Sequence, residues 1–151
     1  MPEAVIRKAK TEDAAAIFAL YRVLEGAYAG APLLDEAAAE RRWAEAYGDS
    51  RQHILVAEAG GEVIGTLTLV VVPNLGHRGR PWAAVDNVVV SEACRGQGVG
   101  RALLAEAGRI AGSFDCYKIV LSSNLVRTEA HAFYRRLGWR QTHMGFSLEL
   151  E

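Results

Sequence analysis

The hydrophobic and polar positions of the chain follow two periods, and the chain changes from one to the other several times. Four segments repeat apolar residues every three or four positions, which is typical of helices with one buried face. The other apolar runs are short and end at turn-forming residues, as strands do. In chain order the pattern predicts strand 4–9, helices 11–24 and 35–47, strands 53–59, 62–72 and 82–90, helix 99–111, strand 117–123, helix 128–137, and one or two closing strands in 140–150.

Residues at the ends of these segments support the boundaries. Thr11, Asp35 and Thr128 are predicted to cap three helices, because their side chains can accept hydrogen bonds from free N–H groups of the first turn. Gly60 and Gly61 predict a tight hairpin between two strands. Residues 26–32 are predicted to be a break and residues 73–81 a loop. Hairpins come first and a crossover helix follows, so we expect one α/β (α+β) domain over residues 1–151 with a mixed, mostly antiparallel sheet and about four helices.

Composition narrows the class of protein. Half of the 151 residues are hydrophobic, and a formal net charge of −1 gives no basic footprint for nucleic acid. No window approaches eighteen consecutive apolar residues, and the start of the chain has no apolar leader, so we expect a cytoplasmic protein without a membrane partner. Cys94 and Cys116 lack metal-ligand spacing, and the histidines are scattered, so no metal is expected.

One glycine-rich run predicts a phosphate-binding turn. Residues 95–101, Arg-Gly-Gln-Gly-Val-Gly-Arg, follow a strand and lead into a helix, where glycine lets backbone N–H groups approach an anion. A Walker loop would need Lys and Ser or Thr after its last glycine, and a dinucleotide fingerprint would need glycine in place of Arg101. Arg95, Gly98 and Gly100 instead fit an Arg/Gln-x-x-Gly-x-Gly pattern. This pattern resembles the pyrophosphate loop of the GNAT superfamily of acyl-CoA-dependent N-acyltransferases.

A second motif strengthens the resemblance. Asn124, Ala130, Phe133, Tyr134 and Gly138-Trp139 are similar to the superfamily's C-terminal pattern, Asn-(x)n-Ala-x-x-Phe-Tyr-x-x-x-Gly-Phe/Trp. In that family the tyrosine hydroxyl points at the CoA sulfur and the asparagine bonds the pantetheine. The order of elements also resembles the GNAT fold, in which strands 4 and 5 splay apart after a bulge and CoA enters the gap. The corresponding strands here would be 82–90 and 117–123. The alternative from the residues alone is that Tyr134 is a core aromatic on an apolar helix face.

The resemblance implies a complete donor site and a mechanism. Acetyl-CoA would be the cosubstrate, held by residues that comprise Val88, Val89, Val90, Arg95, Gly96, Gln97, Gly98, Val99, Gly100, Arg101 and Asn124. A substrate amine would attack the thioester directly in a ternary complex, and Tyr134 would protonate the departing thiolate. Asp86 stands where many family members carry a glutamate and is the candidate base, with an ion pair or a loop cap as the alternative. His131 is an alternative candidate for the base, but it is expected to pack on the preceding strand or to bond a backbone carbonyl.

The acceptor is expected to be the primary amine of a small molecule. The alternatives are a protein N-terminus or lysine as acceptor, and a non-catalytic CoA-binding regulatory module. The last third of the chain resembles aminoalkylphosphonate N-acetyltransferases, whereas residues 26–34 and 73–82 show no such match. Arg78 and Arg80 precede the strand that carries Asp86, so an acceptor with an anionic group is expected, against the alternative of a hydrated turn. Dimers are frequent among relatives, so a homodimer is possible.

Overall fold

A five-stranded mixed sheet forms the centre of the molecule. The computed structural model describes residues 3–25 and 34–150, and the predicted break at residues 26–32 lies outside the described residues. The strands lie side by side in chain order; the first four are antiparallel to their neighbours and the fifth is parallel to the fourth. They are β1 (Val5–Lys8), β2 (Gln52–Ala59), β3 (Glu62–Val72), β4 (Trp82–Val90) and β5 (Ile119–Val120). The predicted fold class is therefore confirmed.

Among the described residues the α-helices are α1 (Ala14–Glu25), α2 (Glu36–Gly48), α3 (Val99–Ser113) and α4 (Thr128–Arg136). The predicted cap Asp35 is confirmed, since its side chain accepts the N–H of Ala38. The caps predicted at Thr11 and Thr128 are wrong. Thr11 opens a short 3₁₀ turn before α1, where Lys10 is the N-cap and its N–H donates to the Asp13 carboxylate. Thr128 is the first residue of α4, and Arg127 takes the cap position without a side-chain bond.

The hairpin of β2 and β3 shows how the sheet acquires two different faces. Gly60 and Gly61 make the turn with φ of 59° and 82°, a conformation that side chains with a Cβ resist. Beyond it, alternate residues point to opposite faces. Ile54 and Val56 join a core with residues of α1 and α2 on one face, while Gly65 faces Val99 and Leu103 of α3 on the other.

The fifth strand is much shorter than residues 117–123, the span predicted from sequence. It pairs with β4 only at Ala83 and Ala84, while β4 runs on to Val90. Within the described residues up to Val120, the second half of β4 therefore has no neighbouring strand on that side. This is the separation of strands 4 and 5 that the resemblance implies.

The chain divides by its contacts into two units, Met1–Val120 and Leu121–Glu151. The second unit contains α4. The closing strands predicted in residues 140–150 are wrong, because no strand forms among those residues. A strand needs a hydrogen-bonded partner, and this segment has none among the described residues. Met144, Phe146, Leu148 and Leu150 are 79–91% exposed as a result.

Candidate functional site

The glycine run forms an open turn at the start of α3. Gly96 and Gly98 adopt φ of 76° and 83°, and Gly98 is the N-cap of the helix. An added Cβ at either glycine would meet no other atom within 4 Å, so the space in front of the turn is free. The first N–H groups of α3 point out of the helix end, where its dipole favours an anion. This geometry fits the phosphate-binding role predicted for residues 95–101.

The polar side chains of the turn fold back onto their own backbone. Arg95 Nε donates to the carbonyl oxygen of Val90 at 3.2 Å, and Gln97 Nε2 donates to that of Ala93 at 3.3 Å. Arg101 is exposed on the first turn of α3. These contacts leave the backbone N–H groups as the main donors facing an anion at this point.

Gly65 on β3, which has no side chain, sets the position of this turn. A Cβ at Gly65 would lie 3.2 Å from Val99 Cγ1, 3.3 Å from Leu103 Cδ1 and 3.3 Å from the Val89 oxygen. The sheet and the start of α3 are thus in close contact at Gly65. Sequence reasoning did not select Gly65, because a glycine inside an apolar strand shows no motif of its own.

β4 contains a bulge next to the candidate site residues. Thr68 pairs with Asp86 and Thr66 with Val89, so Asn87 and Val88 both lie opposite the single residue Leu67. Asn87 has a φ of 52°, in the left-handed region that accommodates such a bulge. The ladder is interrupted here, and backbone groups around Val88 are released from regular pairing. The sequence predicted the strand and its boundaries correctly. The resemblance to the GNAT fold implied a bulge, but its position at Asn87 and Val88 was not predicted.

Asp86 lies at the edge of the bulge with an exposed carboxylate. Its Oδ1 accepts the N–H of Asn87 at 2.8 Å, which fixes the side chain against the turn of the backbone. Cross-strand partners share a face, so Asp86 lies on the same face as Thr68, opposite the face that carries α3. The other oxygen of the carboxylate is the one left to interact with a ligand.

Tyr21 is a residue of this site that sequence reasoning missed. It lies on α1, which packs against β3 and β4. Burial raises the pKa of the Tyr21 hydroxyl; hydrogen bonding with Thr68, Asn87 and Thr66 opposes the shift, and the charge of Asp86 adds to it. Its position one turn after Ile17 made it look like an ordinary residue of an apolar helix face. Its polar neighbours come from distant parts of the sequence.

In the second unit Tyr134 is buried on α4. Its ring centre lies 5.3 Å from that of Phe133 and 6.0 Å from that of Trp139. Burial raises the pKa of its hydroxyl, and the charge of Arg127 acts in the opposite direction. The phenol is therefore protonated at neutral pH and is able to act as a proton donor.

Asn124 is tied to its own turn through its oxygen atoms. Its Oδ1 accepts the N–H of Val126 at 3.1 Å, which leaves the side-chain NH2 group to donate. His131 Nε2 lies 2.9 Å from the backbone oxygen of Asn124, so one of the two expectations for this histidine, a bond to a backbone carbonyl, is confirmed.

In the loop before β4, residues 73–81, the positive charge is partly neutralised by an ion pair. Arg80 Nη2 lies 3.0 Å from Asp115 Oδ1, and the His77 ring stacks on Tyr117 with centres 3.9 Å apart. Arg78 is exposed, with a φ of 60°. Arg78 is therefore the more available of the two arginines predicted to face the acceptor.

The described ranges contain neither a metal-binding cluster nor a membrane-spanning helix. No group of three or more His, Cys, Asp and Glu side chains is placed to hold a metal ion among residues 3–25 and 34–150. None of the helices in the same ranges is both long and apolar enough to cross a membrane. Cys94 is buried, Cys116 is partly buried, and both are free thiols.

An open glycine turn at a helix start, beside a bulged strand that separates from its neighbour, is the arrangement that the resemblance to the GNAT superfamily implies. Comparison with protein families agrees. The sequence model described as acetyltransferase (GNAT) family matches residues 8–139, and the chain belongs to this family. It is an N-acyltransferase enzyme by descent, and both motifs lie inside the matched range.

Individual relatives extend the comparison over nearly the whole chain. Aminoalkylphosphonate N-acetyltransferase of Salmonella typhimurium is 33% identical over 152 residues, which cover 99% of this chain and 94% of the relative. The similarity is therefore not confined to the last third, as the sequence had suggested. Glucosamine 6-phosphate N-acetyltransferase of Trypanosoma brucei brucei is 32% identical over 90 residues, 60% of this chain and 59% of the relative.

A solved structure gives the same fold. A protein of Agrobacterium tumefaciens assigned as an acetyltransferase superposes with a TM-score of 0.89 at 34% identity, covering 97% of this chain and 99% of its own.

Proposed function

We propose that the protein transfers an acetyl group from acetyl-CoA to the primary amine of a small molecule, by direct attack in a ternary complex. The observation that carries this proposal is the open turn at Gly96 and Gly98, which presents helix N–H groups to free space. Family membership supports the acyl donor, and the bulge in β4 supports the reaction centre.

The residues of the first unit fit the donor in two places. The N–H groups of residues 96–101 suit a pyrophosphate, since three glycines and a helix start leave no side chain in the way. The backbone of Val88, Val89 and Val90 suits the pantetheine arm. β5 pairs with β4 only at Ala83 and Ala84, so within the described residues of the first unit this later part of β4 has no strand beside it. In the second unit, the bond from Asn124 to the pantetheine is the one that the family resemblance implies, and the side-chain NH2 group of Asn124 is free to donate it. Acetyl-CoA supplies the acetyl thioester on which the transfer depends.

The transfer requires a neutral amine. At pH 7 an amine with an ordinary pKa near 10.4 is protonated, and removing the proton costs about 4.6 kcal/mol. Asp86 is the group proposed to accept it, directly or through water, since its carboxylate is exposed beside the bulge. Backbone N–H groups at Val88 would polarise the thioester carbonyl. Tyr134, protonated at neutral pH, would donate to the thiolate that leaves.

For the acceptor we favour a small amine that carries an anionic group. The names of the two curated relatives each describe an amine with a phosphonate or a phosphate. Arg78 is exposed in the loop before β4 and offers a guanidinium for such a group. Arg80, which pairs with Asp115, is expected to contribute less.

The test is thiol release from acetyl-CoA over a panel of amines: aminoalkylphosphonates, amino sugar phosphates, polyamines, amino acids, and peptides with a free N-terminus or lysine. We expect turnover with an anionic small amine, and a raised KM for that acceptor in Arg78→Gln with an unchanged KM for acetyl-CoA. Arg42→Gln, a change at an exposed arginine on α2, is the matched control. Turnover confined to peptides would overturn the small-molecule proposal. No binding of acetyl-CoA in calorimetry would overturn the transferase proposal itself.

A further inference from the structure

We propose that Asn87 is a specificity-determining residue of the acetyl-transfer site, and that its side-chain amide binds the acceptor close to the amine. The inference rests on the proposed function and deepens it, because it adds a contact with the acceptor to the site that contains Asp86. It also narrows the class of acceptor to amines that carry a hydrogen-bonding oxygen near the nitrogen.

The exposure pattern of β4 marks an opening in a sheet that is otherwise covered. α1 and α3 both pack on β4, and they lie on opposite faces of the sheet. Under that cover every residue of β4 is buried or half-buried except Asp86 and Asn87, which are both exposed. Neighbouring residues of a regular strand point to opposite faces, and both faces are covered here. The two adjacent exposed side chains therefore indicate a gap that a small molecule can enter.

The backbone at this point suits an asparagine but does not require one. Asn87 has a φ of 52°, in the left-handed region, which asparagine and aspartate adopt more readily than other residues with a Cβ. Glycine would adopt the same conformation with less strain. A bulge also re-aims side chains, and bulges are frequent beside active sites. The conformation alone thus leaves the presence of an exposed amide unexplained.

The two exposed side chains have complementary chemistry. Asp86 Oδ1 accepts the backbone N–H of Asn87 at 2.8 Å, so the carboxylate is held at the bulge and its other oxygen is left for the acceptor amine. A carboxylate only accepts hydrogen bonds, whereas a side-chain amide has two N–H donors and an oxygen acceptor. Asn87 can therefore donate to an oxygen of the acceptor, and it does so without a negative charge that would repel an anionic group.

The spacing of these residues limits the acceptor. Consecutive Cα atoms lie about 3.8 Å apart, so an amine at Asp86 and an oxygen at Asn87 belong to one small molecule only if few bonds separate them. Short aminoalkylphosphonates and amino sugars with a hydroxyl on the carbon beside the amine meet this condition. An alkylamine of the same carbon chain lacks the oxygen and makes no such bond.

The experiment measures steady-state kinetics of Asn87→Gly, Asn87→Ala and Asn87→Asp with acetyl-CoA, the best acceptor of the amine panel and the alkylamine of the same carbon chain. Asn87→Gly and Asn87→Ala both lack the amide. They should raise the KM for the best acceptor by about 3- to 10-fold, the usual effect of losing one hydrogen bond. The KM for acetyl-CoA and for the alkylamine should stay unchanged. Asn87→Asp should raise the KM for an anionic acceptor further, because like charges then meet.

The melting temperature separates this role from a purely structural one. Alanine resists a φ of 52° and glycine does not, so Asn87→Ala should melt at a lower temperature than Asn87→Gly although the two variants share the kinetic defect. A kinetic defect that follows the melting temperature and spares Asn87→Gly would overturn the inference, because the backbone conformation would then be the only contribution of Asn87.

A binding measurement tests the same contact without activity. The side-chain NH2 signal of Asn87, identified in NMR spectra of the whole protein by its loss in Asn87→Gly, should shift on titration with 2-aminoethylphosphonate and not with ethylamine. If the wild type is active and Asn87→Gly matches it with every acceptor, the inference is overturned and the proposed function stands. If the wild type acetylates no amine, the proposed function fails, and an NH2 signal that does not shift then overturns the inference as well.

Discussion

Gly65 of β3 and Val99 of α3 are in such close contact that a Cβ on Gly65 would lie 3.2 Å from Val99 Cγ1. The same Cβ would lie 3.3 Å from the backbone oxygen of Val89, an atom that is not free to rotate away. Gly65 pairs with Val90, so this contact joins the end of β4 to the start of the helix that carries the glycine turn. The two parts of the proposed donor site are positioned by one small residue.

Gly65→Ala should therefore weaken acetyl-CoA binding although Gly65 touches no donor group. Relieving the contact requires the start of α3 to move by a few tenths of an ångström. We expect the free energy of unfolding to fall by about 1–3 kcal/mol, as in other overpacked cores, and the Kd for acetyl-CoA to rise. Gly108→Ala, a change within α3, is the control, because a Cβ at Gly108 meets no atom within 4 Å. Denaturant unfolding and calorimetry measure both quantities, and equal behaviour of the two variants would contradict the prediction.

Gly98→Ala tests the turn itself, and the hairpin provides a matched control. Gly98 and Gly61 have φ of 83° and 82°, and in both cases an added Cβ meets nothing within 4 Å. Alanine should be strained to a similar extent at the two sites, by about 1–2 kcal/mol. Only Gly98→Ala should weaken acetyl-CoA in calorimetry, since its methyl group would occupy the space proposed for the pyrophosphate. Undiminished binding would show that the turn makes no contact with phosphate. Gly98→Val should weaken binding further, because a β-branched side chain is larger and resists positive φ more.

Tyr134→Phe separates the proton donor from the core aromatic. The ring and its contacts with Phe133 and Trp139 are kept, so the fold should persist. We expect kcat to fall by about 10²–10⁴-fold, the usual contribution of a positioned acid, with little change in the KM for acetyl-CoA. Steady-state kinetics with Tyr47→Phe as reference measures this. A fully active Tyr134→Phe enzyme would leave Tyr134 as a core residue only.

Local patterns predicted the parts of the fold that depend on neighbouring residues. The bounds of β4, the hairpin at Gly60 and Gly61 and the cap at Asp35 all follow from short stretches of sequence, and the structure confirms them. The glycine run also lies at the start of a helix, as its motif requires.

Features that depend on distant contacts were not predictable in the same way. α1, which carries Tyr21, packs on β3 and β4, and no local pattern predicts that packing. The prediction of a cap at Thr11 was wrong because the Asp13 carboxylate accepts the N–H of Lys10 and also binds the guanidinium of Arg7, a residue of β1. The prediction of closing strands in residues 140–150 was wrong because a strand needs a neighbouring strand for its backbone hydrogen bonds. The alternation of apolar and polar side chains does not show whether such a neighbour is present.

His53 should make the stability of the protein depend on pH. It is buried on β2, and its Nε2 has no hydrogen-bond partner among the described residues. Burial, together with the nearby charge of Lys8, lowers its pKa below the ordinary value of about 6.5. As the pH falls below about 6.5, the histidine of the unfolded chain takes up a proton before that of the folded chain. The free energy of unfolding therefore decreases as the pH falls from about 6.5 through the lower pKa of the folded state. Denaturant unfolding from pH 7.5 to 5 should show a smaller acid loss for His53→Leu than for the wild type. His143→Leu, a change at an exposed histidine, should keep the wild-type slope.

The exposed apolar residues near the end of the chain predict self-association. Met144, Phe146 and Leu148 alternate with small or polar residues and are 79–91% exposed, a pattern that suits a strand with one covered face. Two copies of such a segment can pair antiparallel about a two-fold axis, because each presents the same face to the other. Light scattering with size-exclusion chromatography should therefore show a dimer for the wild type. Phe146→Asp should shift it toward monomer, because a charge on the covered face must lose its hydration.

Ser147→Asp is the control for this prediction, since neighbouring residues of an extended segment point to opposite sides. It adds the same charge one position away and should leave the dimer intact. A wild type that is monomeric at all concentrations would contradict the prediction, as would equal effects of the two aspartates. Dissociation by Phe146→Asp with an unchanged melting profile of the first unit would show that the segment serves association and not the folding of the sheet.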